Sequence, residues 1–347
     1  MDKRRPRQKA QRTPERNDNQ INWLSRFQKT GINLNPAWIS RFKRNPLLPL
    51  IRSAAPGVLF PLLRDVFHVP PQDDLRRQVE REVYHRAQVL RLNRQTFLIK
   101  PSTSEIEADA EESRDAGLQF LKQLEVVNQL QLLGATKFSE ETQRQIIRLM
   151  QFQNPDGRFP LLYHHHAHTC WILMEMGLEG NRLIDRGLNW LLDRQRDDGG
   201  WLHRSQVPRG KSIKTMSSCI WTSAAVLQAL SRRRSYAHST EAQRAGEFLL
   251  AHNLKPNSSS FMPTAETWDQ LYLGTKGDAM FTGGTLKAAQ ALVRCGFDHR
   301  SGVLEKMINW LLDQQLADGM FPRVAGRMQH PDSNVTFRMI ALIQKLT

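Results

Sequence analysis

Cysteine is scarce in this 347-residue sequence: there are three, Cys170, Cys219 and Cys295. An odd count without short-range pairing argues against a disulfide framework and points to thiols of a reducing compartment. Long apolar runs are missing as well. None follows the basic N-terminus, which speaks against a secretion signal. The nearest approach to a membrane span, Pro46 to Leu63, contains Arg52 and four prolines, so it is no ordinary spanning helix. The expectation is a cytoplasmic protein, at most peripheral to a membrane surface. Alternating segments of strand length are also absent, leaving an all-α chain. The 40% hydrophobic and 24% charged residues are those of a globular protein with ample core.

Positive charge is plentiful and unevenly placed. Residues 1–52 hold thirteen Lys/Arg against three Asp/Glu, a surplus of ten out of the chain's fifteen. Residues 1–20 therefore read as a disordered basic arm suited to an acidic partner or an anionic membrane surface, or as a solubilising tail. No aromatic interleaves that arm, so specific nucleic-acid recognition is not expected.

Repetition dominates the rest. A helical apolar pattern, a polar turn and a second helical pattern recur four times. The first members run Ile146–Pro160, Gly187–Trp201, Ala245–Pro263 and Met307–Pro322. The second members run His168–Leu178, Ser217–Leu230, Ala279–Leu292 and Asn334–Leu346. Gln153, Asp156, Gly157 and Phe159 align with Gln195, Asp198, Gly199 and Trp201, and with Gln315, Asp318, Gly319 and Phe321. The third copy keeps only Asn253. An Asp-Gly turn supplies the left-handed position that ends a helix, and the aromatic packs the exit back onto it. Asp197–Asp198 thus reads as turn punctuation rather than an acid pair, because Pro155 and Ala317 replace Asp197 elsewhere. Upstream, Asp73 is placed to cap a long helix over Leu75–Leu92, and another helix is expected over Ala116–Leu133. The expected divisions are 1–20, a helical region 21–135 packing on the repeats, and the repeats 136–347.

Gln-x-x-Asp-Gly-x-(Trp/Phe) after an aliphatic helix resembles the QW-type repeat of squalene and oxidosqualene cyclases and the repeats of protein prenyltransferase β subunits. The resemblance covers about residues 140–347. The segment from Asn45 to Gln78 is similar to the lead-in of uncharacterised prokaryotic proteins with the same repeats. It implies an α/α toroid in which outer helices carry the turns and inner helices surround an aromatic-lined cavity.

The enzymes' motifs are missing. No Asp-x-Asp-Asp and no Asp-Asp-x-x-Asp occurs. Met262 and Pro263 stand where Asp-Cys would precede Thr264-Ala265-Glu266. Of the prenyltransferase zinc ligands, Asp278 lies at a similar place, Met280 replaces the Cys, and His330 stands near the His.

The chemistry expected instead lies at the inner-helix starts. His164 and His168 in Tyr163–Cys170 (YHHHAHTC) have i, i+4 metal-ligand spacing, with zinc the candidate ion. A helix start lining a polar cavity mouth explains the same residues without metal. Asp278 is a candidate general acid or a helix cap. Tyr163, His165, Trp171, Trp221, Trp268, Tyr272, Phe281 and Phe337 are candidate ligand contacts, or simply core. Pro208–Thr215 offers Arg209, Lys211 and Lys214 to a diphosphate. Three classes stay open: a toroid binding a hydrophobic, isoprenoid-like ligand with a non-standard cyclase or transferase activity; a non-enzymatic scaffold for a lipid, peptide or protein; and a saccharide-processing toroid.

Overall fold

A computed structural model describes residues 21–95, 110–253, 255, 266–274, 280–281, 283–298, 301–326 and 330–347. In chain order the helices are α1 (Trp23–Lys29), α2 (Leu47–Ser53), α3 (Pro56–Pro61), α4 (Asp74–His85), α5 (Ala87–Asn93), α6 (Ala110–Leu132), α7 (Glu140–Met150), α8 (Tyr163–Leu173), α9 (Arg182–Leu192), α10 (Ile220–Leu230), α11 (Arg234–Ala237), α12 (Thr240–Ala251), α13 (Glu266–Asp269), α14 (Thr285–Arg294), α15 (Gly302–Asp313) and α16 (Ser333–Lys345). Among the described residues the only β pairing is two isolated bridges, Gln270 with Val324 and Pro322 with Pro331. The basic arm lies outside the described residues.

Helix ends follow the local chemistry. Asp73 caps α4 through the amides of Leu75 and Arg76. Ser139, Asn181, Ser239 and Ser301 each cap a helix in the same way, satisfying amides that an uncapped helix leaves open. The single helix expected over Leu75–Leu92 is two, broken where Arg86 turns extended (φ −66°, ψ 130°). The break lets Val89 and Leu92 bury beside α6 and α7. The helix expected over Ala116–Leu133 begins earlier, at Ala110, so the end of the acidic stretch Ser104–Asp115 is helical.

The helices form an α/α toroid. α8, α10, α14 and α16 pack side by side in that order, each backed by an outer helix: α9 on α8, α12 on α10, α15 on α14. On the other side α6 joins α8 and is backed by α7, while α16 meets α3, which is backed by α4. The ring closes where α3 crosses the end of α6. A Cβ on Gly57 would fall 2.1 Å from the Leu133 carbonyl oxygen, so only glycine permits that approach. Every residue of α10 is buried, as expected of a helix covered on both faces.

Three repeat turns dock the ring together. Gln153 donates its amide to the Gly157 carbonyl (2.7 Å) and to that of Leu183 on the next outer helix (2.8 Å). Gln195 does the same to Gly199 (2.8 Å) and Glu241 (2.7 Å). Gln315 reaches Gly319 (2.7 Å) and then Arg44 (2.7 Å), just before α2. The segment 37–53 thus takes the outer position for α16, against which it packs. The turn glycines have φ of 97°, 85° and 91°, the left-handed conformation that ends each helix.

Candidate functional site

The repeat register also assigns His166. The Phe159 amide donates to His166 Nδ1 (2.8 Å), where the Trp201 amide meets Ser223 Oγ (3.0 Å) and the Phe321 amide meets Thr336 Oγ1 (2.9 Å). His166 Nε2 lies 2.8 Å from the Gly187 carbonyl, so that ring is a structural bracket. Asp198 receives the Ser218 amide (2.8 Å) and hydroxyl (2.7 Å). It is a turn residue, as its place in the repeat indicates.

The remaining histidines of α8 face the ring axis. His164 and His165 stack with centroids 4.2 Å apart. Phe281 packs against three imidazoles at once: 4.4 Å from His165, 5.2 Å from His164 and 5.3 Å from His168. His168 Nε2 lies 3.2 Å from Asn128 Oδ1 of α6, so the Nε2–H tautomer donates. Burial drives all these rings toward neutrality, and neighbouring cations add to it. His165 falls to about 4 and His168 to about 3, while His164, beside His165 and Lys287, also falls well below the ordinary value.

Lys287, the third residue of α14, is 1% exposed. Its Nζ has one long contact, 3.4 Å to the Phe281 carbonyl, and no carboxylate partner among the described residues. Burial lowers its ammonium to about 7. The helix start adds to this, because the positive end of a helix dipole disfavours a cation. At neutral pH about half of this amine is thus uncharged, among neutral imidazoles.

A second polar cluster lies deeper. Arg338 of α16 stacks over Tyr272 (4.4 Å) and Trp171 (5.5 Å), worth on the order of 1–2 kcal/mol each when desolvated. Glu175, just past α8, is buried within 3.3 Å of Arg232 and 4.0 Å of Arg294. Burial alone would raise its carboxyl, but Arg232, Arg338, Arg294 and Arg64 outweigh it and hold it at about 2. A cleft of about 30 Å³ is lined there by Arg64, Gln131, Thr136, Glu175, Phe337 and Arg338.

The structure thus brings together His164, His165, His168 and Phe281. It pairs Trp221 with Trp268 (4.8 Å) and sets Trp171 and Tyr272 beside Arg338. Tyr163 points elsewhere, against Trp190 (5.5 Å) and His203 (5.0 Å). Phe337 lines the deeper cleft, and Asp278 lies outside the described residues. Trp171, Trp221, Trp268, Tyr272 and Phe281 are at most 2% exposed, so their surfaces are covered by protein atoms rather than by a ligand-sized void. For zinc, no group of three or more His, Cys, Asp or Glu among the described residues is arranged to hold an ion. The Phe281 ring touches both His164 and His168, and Met280 stands where a thiolate would be needed. The described donors do not fit that metal. Arg209, Lys211 and Lys214 are exposed. An open cleft of about 410 Å³ on the outer face is lined by Asp156, Arg182, Asp185, Arg186 and Trp190, and there Asp156 is engaged with the Trp190 indole (3.1 Å).

Lys287, Asn128, Arg338 and Glu175 did not stand out in the sequence. One signal was available: Lys287 and Arg338 are charged residues well inside inner-helix stretches built mainly of small and apolar side chains.

No protein-family model matches the chain, and no curated protein matches it. Solved structures align with it at low identity. A glycosyl hydrolase family 88 protein from Bacteroides vulgatus aligns over 93% of this chain and 95% of its own at 13% identity, TM-score 0.46. A polysaccharide lyase aligns over 84% and 89% at 13% identity, TM-score 0.44. The type II terpene cyclase MstE from Scytonema, in complex with geranylgeranyl dihydroxybenzoate, aligns over 84% and 86% at 12% identity, TM-score 0.37. Likenesses this distant assign no activity. Among the described residues no helix is long and apolar enough to cross a membrane.

Proposed function

We propose that the ring takes up an organic anion with an apolar or ring-shaped body at the start of its inner helices, and acts on it by moving a proton between Lys287 and the neighbouring imidazoles. The observation that supports this is Lys287 itself: buried, with one long contact and no carboxylate among the described residues. A buried ammonium in that state is costly, and an anionic ligand would repay the cost. The helix starts of α8, α10, α14 and α16 add positive potential. The ligand enters by displacing the Phe281 ring, which fills the space between the imidazoles.

Two ligand chemistries meet this description: an isoprenoid diphosphate, whose chain would lie on Trp221 and Phe281, and an acidic saccharide, whose sugar face would. Hydrolysis by a carboxylate pair draws no support, since no such pair faces this end among the described residues. Binding by the purified protein to geranylgeranyl diphosphate and trigalacturonate, each against its neutral counterpart (geranylgeraniol, maltotriose), tests the reading. One anion should bind, its neutral counterpart should not, and Lys287→Met should weaken it at least about tenfold, on the order of 1.4 kcal/mol. Neutral and charged probes binding alike, or binding indifferent to Lys287→Met, would overturn it.

A non-enzymatic scaffold is the second reading, favoured by the covered aromatic centre. It predicts that none of the four probes binds.

A further inference from the structure

Buried lysines in folded proteins ordinarily pair with a carboxylate or with helix C-terminal carbonyls. Lys287 does neither among the described residues. It occupies the third position of α14, the end of a helix where a cation is least favoured, and among the described residues its one hydrogen bond goes to the Phe281 carbonyl at 3.4 Å. Beside it stand His164 and His168, close enough for their charges to be felt and both uncharged at neutral pH. Lys287 donates to the backbone of Phe281, whose ring packs against His164, His165 and His168; a buried amine about half uncharged at pH 7 in that place can serve as a nucleophile rather than only as a structural cation.

We infer that Lys287 Nζ condenses with the carbonyl group of a small α-keto acid or aldehyde to form an imine. The inference rests on the axial-site reading above: an α-keto acid is an organic anion that also offers a carbonyl carbon to the amine. In the first step the Nζ lone pair forms the N–C bond, and one of the two Nζ protons passes through an imidazole to the carbonyl oxygen, giving the neutral carbinolamine. In the second, the remaining Nζ proton passes by the same route to the hydroxyl, the C–O bond breaks and water leaves as the N–C double bond forms. One amine and one carbonyl become one imine and one water, with no change of oxidation state. We assign these transfers to His164 or His168, whose rings pack on the Phe281 side chain next to Lys287. Glu175 lies beyond the C-terminal end of α8 among guanidinium groups and takes no part.

The full-length protein treated with glyoxylate and cyanoborohydride at pH 7, then digested and mapped by mass spectrometry, tests this. Exposed lysines are protonated at that pH and react slowly. The expected result is one reduced adduct per chain, on the peptide containing Lys287, formed faster than adducts on exposed lysines. Lys287→Met, checked for native helix content by circular dichroism, should lose that adduct alone. Labelling confined to exposed lysines overturns the imine. If glyoxylate still raises the melting temperature of wild type and not of Lys287→Met, the anion site survives that result. If it does neither, the imine fails and the anion site is judged by the diphosphate and uronate probes.

Discussion

Gln315 and Arg44, 271 positions apart in sequence, exchange two hydrogen bonds: the Gln315 amide donates to the Arg44 carbonyl (2.7 Å), and the Arg44 amide returns one to Gln315 Oε1 (3.1 Å). The same glutamine position in the first two repeats holds the next outer helix. Here it holds the segment before α2, which takes the outer position for α16. Gln315→Ala should lower stability by about 1–3 kcal/mol and speed proteolysis around residues 37–53. Urea midpoints and timed digestion check this. A variant digested at the wild-type rate would mean the docking of that segment does not depend on that pair.

The turn glycines carry a steeper penalty. At Gly199 a Cβ would meet the Arg244 carbonyl oxygen at 2.5 Å, with φ at 85°. Gly199→Ala should cost about 1–2 kcal/mol for the left-handed backbone alone, and more once the contact with α12 is counted. Gly210, with a similar φ of 80° and nothing near it, is the control: Gly210→Ala should cost only the backbone part, read from the same denaturation curves.

Acid should unfold this protein early. An unfolded histidine titrates near 6.5, whereas His165 and His166 are held at about 4 and His168 at about 3. Below 6.5 the unfolded chain therefore binds more protons, so their contribution is full above about pH 6.5 and is lost as pH falls towards 4 and then 3. His165 alone accounts for about 3 kcal/mol over its window. Urea midpoints measured from pH 7.5 to 4 should fall steeply, and His168→Gln should flatten the slope. An unchanged slope in that variant would contradict the assignment.

Lys287 has the opposite experimental handle. Its folded value, about 7, lies below the ordinary one near 10.4, so wild-type stability rises with pH between the two. Lys287→Met should therefore be more stable than wild type at pH 7, with the gap narrowing towards pH 10. The urea midpoints of both proteins across that range decide it.

Phe281 fills the centre of the imidazole cluster. Phe281→Ala should cost about 3–5 kcal/mol and leave a hole that small aromatic probes such as indole enter, seen as a rise in melting temperature absent from wild type.

The toroid was legible in the sequence because its turns are written in short range. Gln195, Asp198 and Gly199 build the turn from bonds within a few residues, Gln195 to the Gly199 carbonyl and Asp198 to the Gly200 amide, and recur in register, so repetition revealed them. The outer cover of α16 and the ring's closure were not legible: Arg44 carries no mark that Gln315 will hold it, and α3 and α6 lack the repeat letters altogether. The site was half legible. YHHHAHTC drew attention to α8, and three of its histidines do meet at the axis. Their partners Lys287, Asn128 and Phe281 come from other helices and turns, and no local pattern announces a lysine that the fold will bury. Of the aromatics expected to line a cavity, Trp171, Trp221 and Phe337 lie on inner helices and Trp268, Tyr272 and Phe281 on the segments between them, and spacing cannot tell a lining from a filled core.

The account stands or falls on the state of one amine. With ¹⁵N-labelled lysine, NMR titration of Nζ in the native protein should show Lys287 changing charge near pH 7 while the exposed lysines do so above 10, and its value should rise when geranylgeranyl diphosphate or trigalacturonate is added. A Lys287 that titrates with the exposed lysines, or is unmoved by either anion, would contradict the axial site.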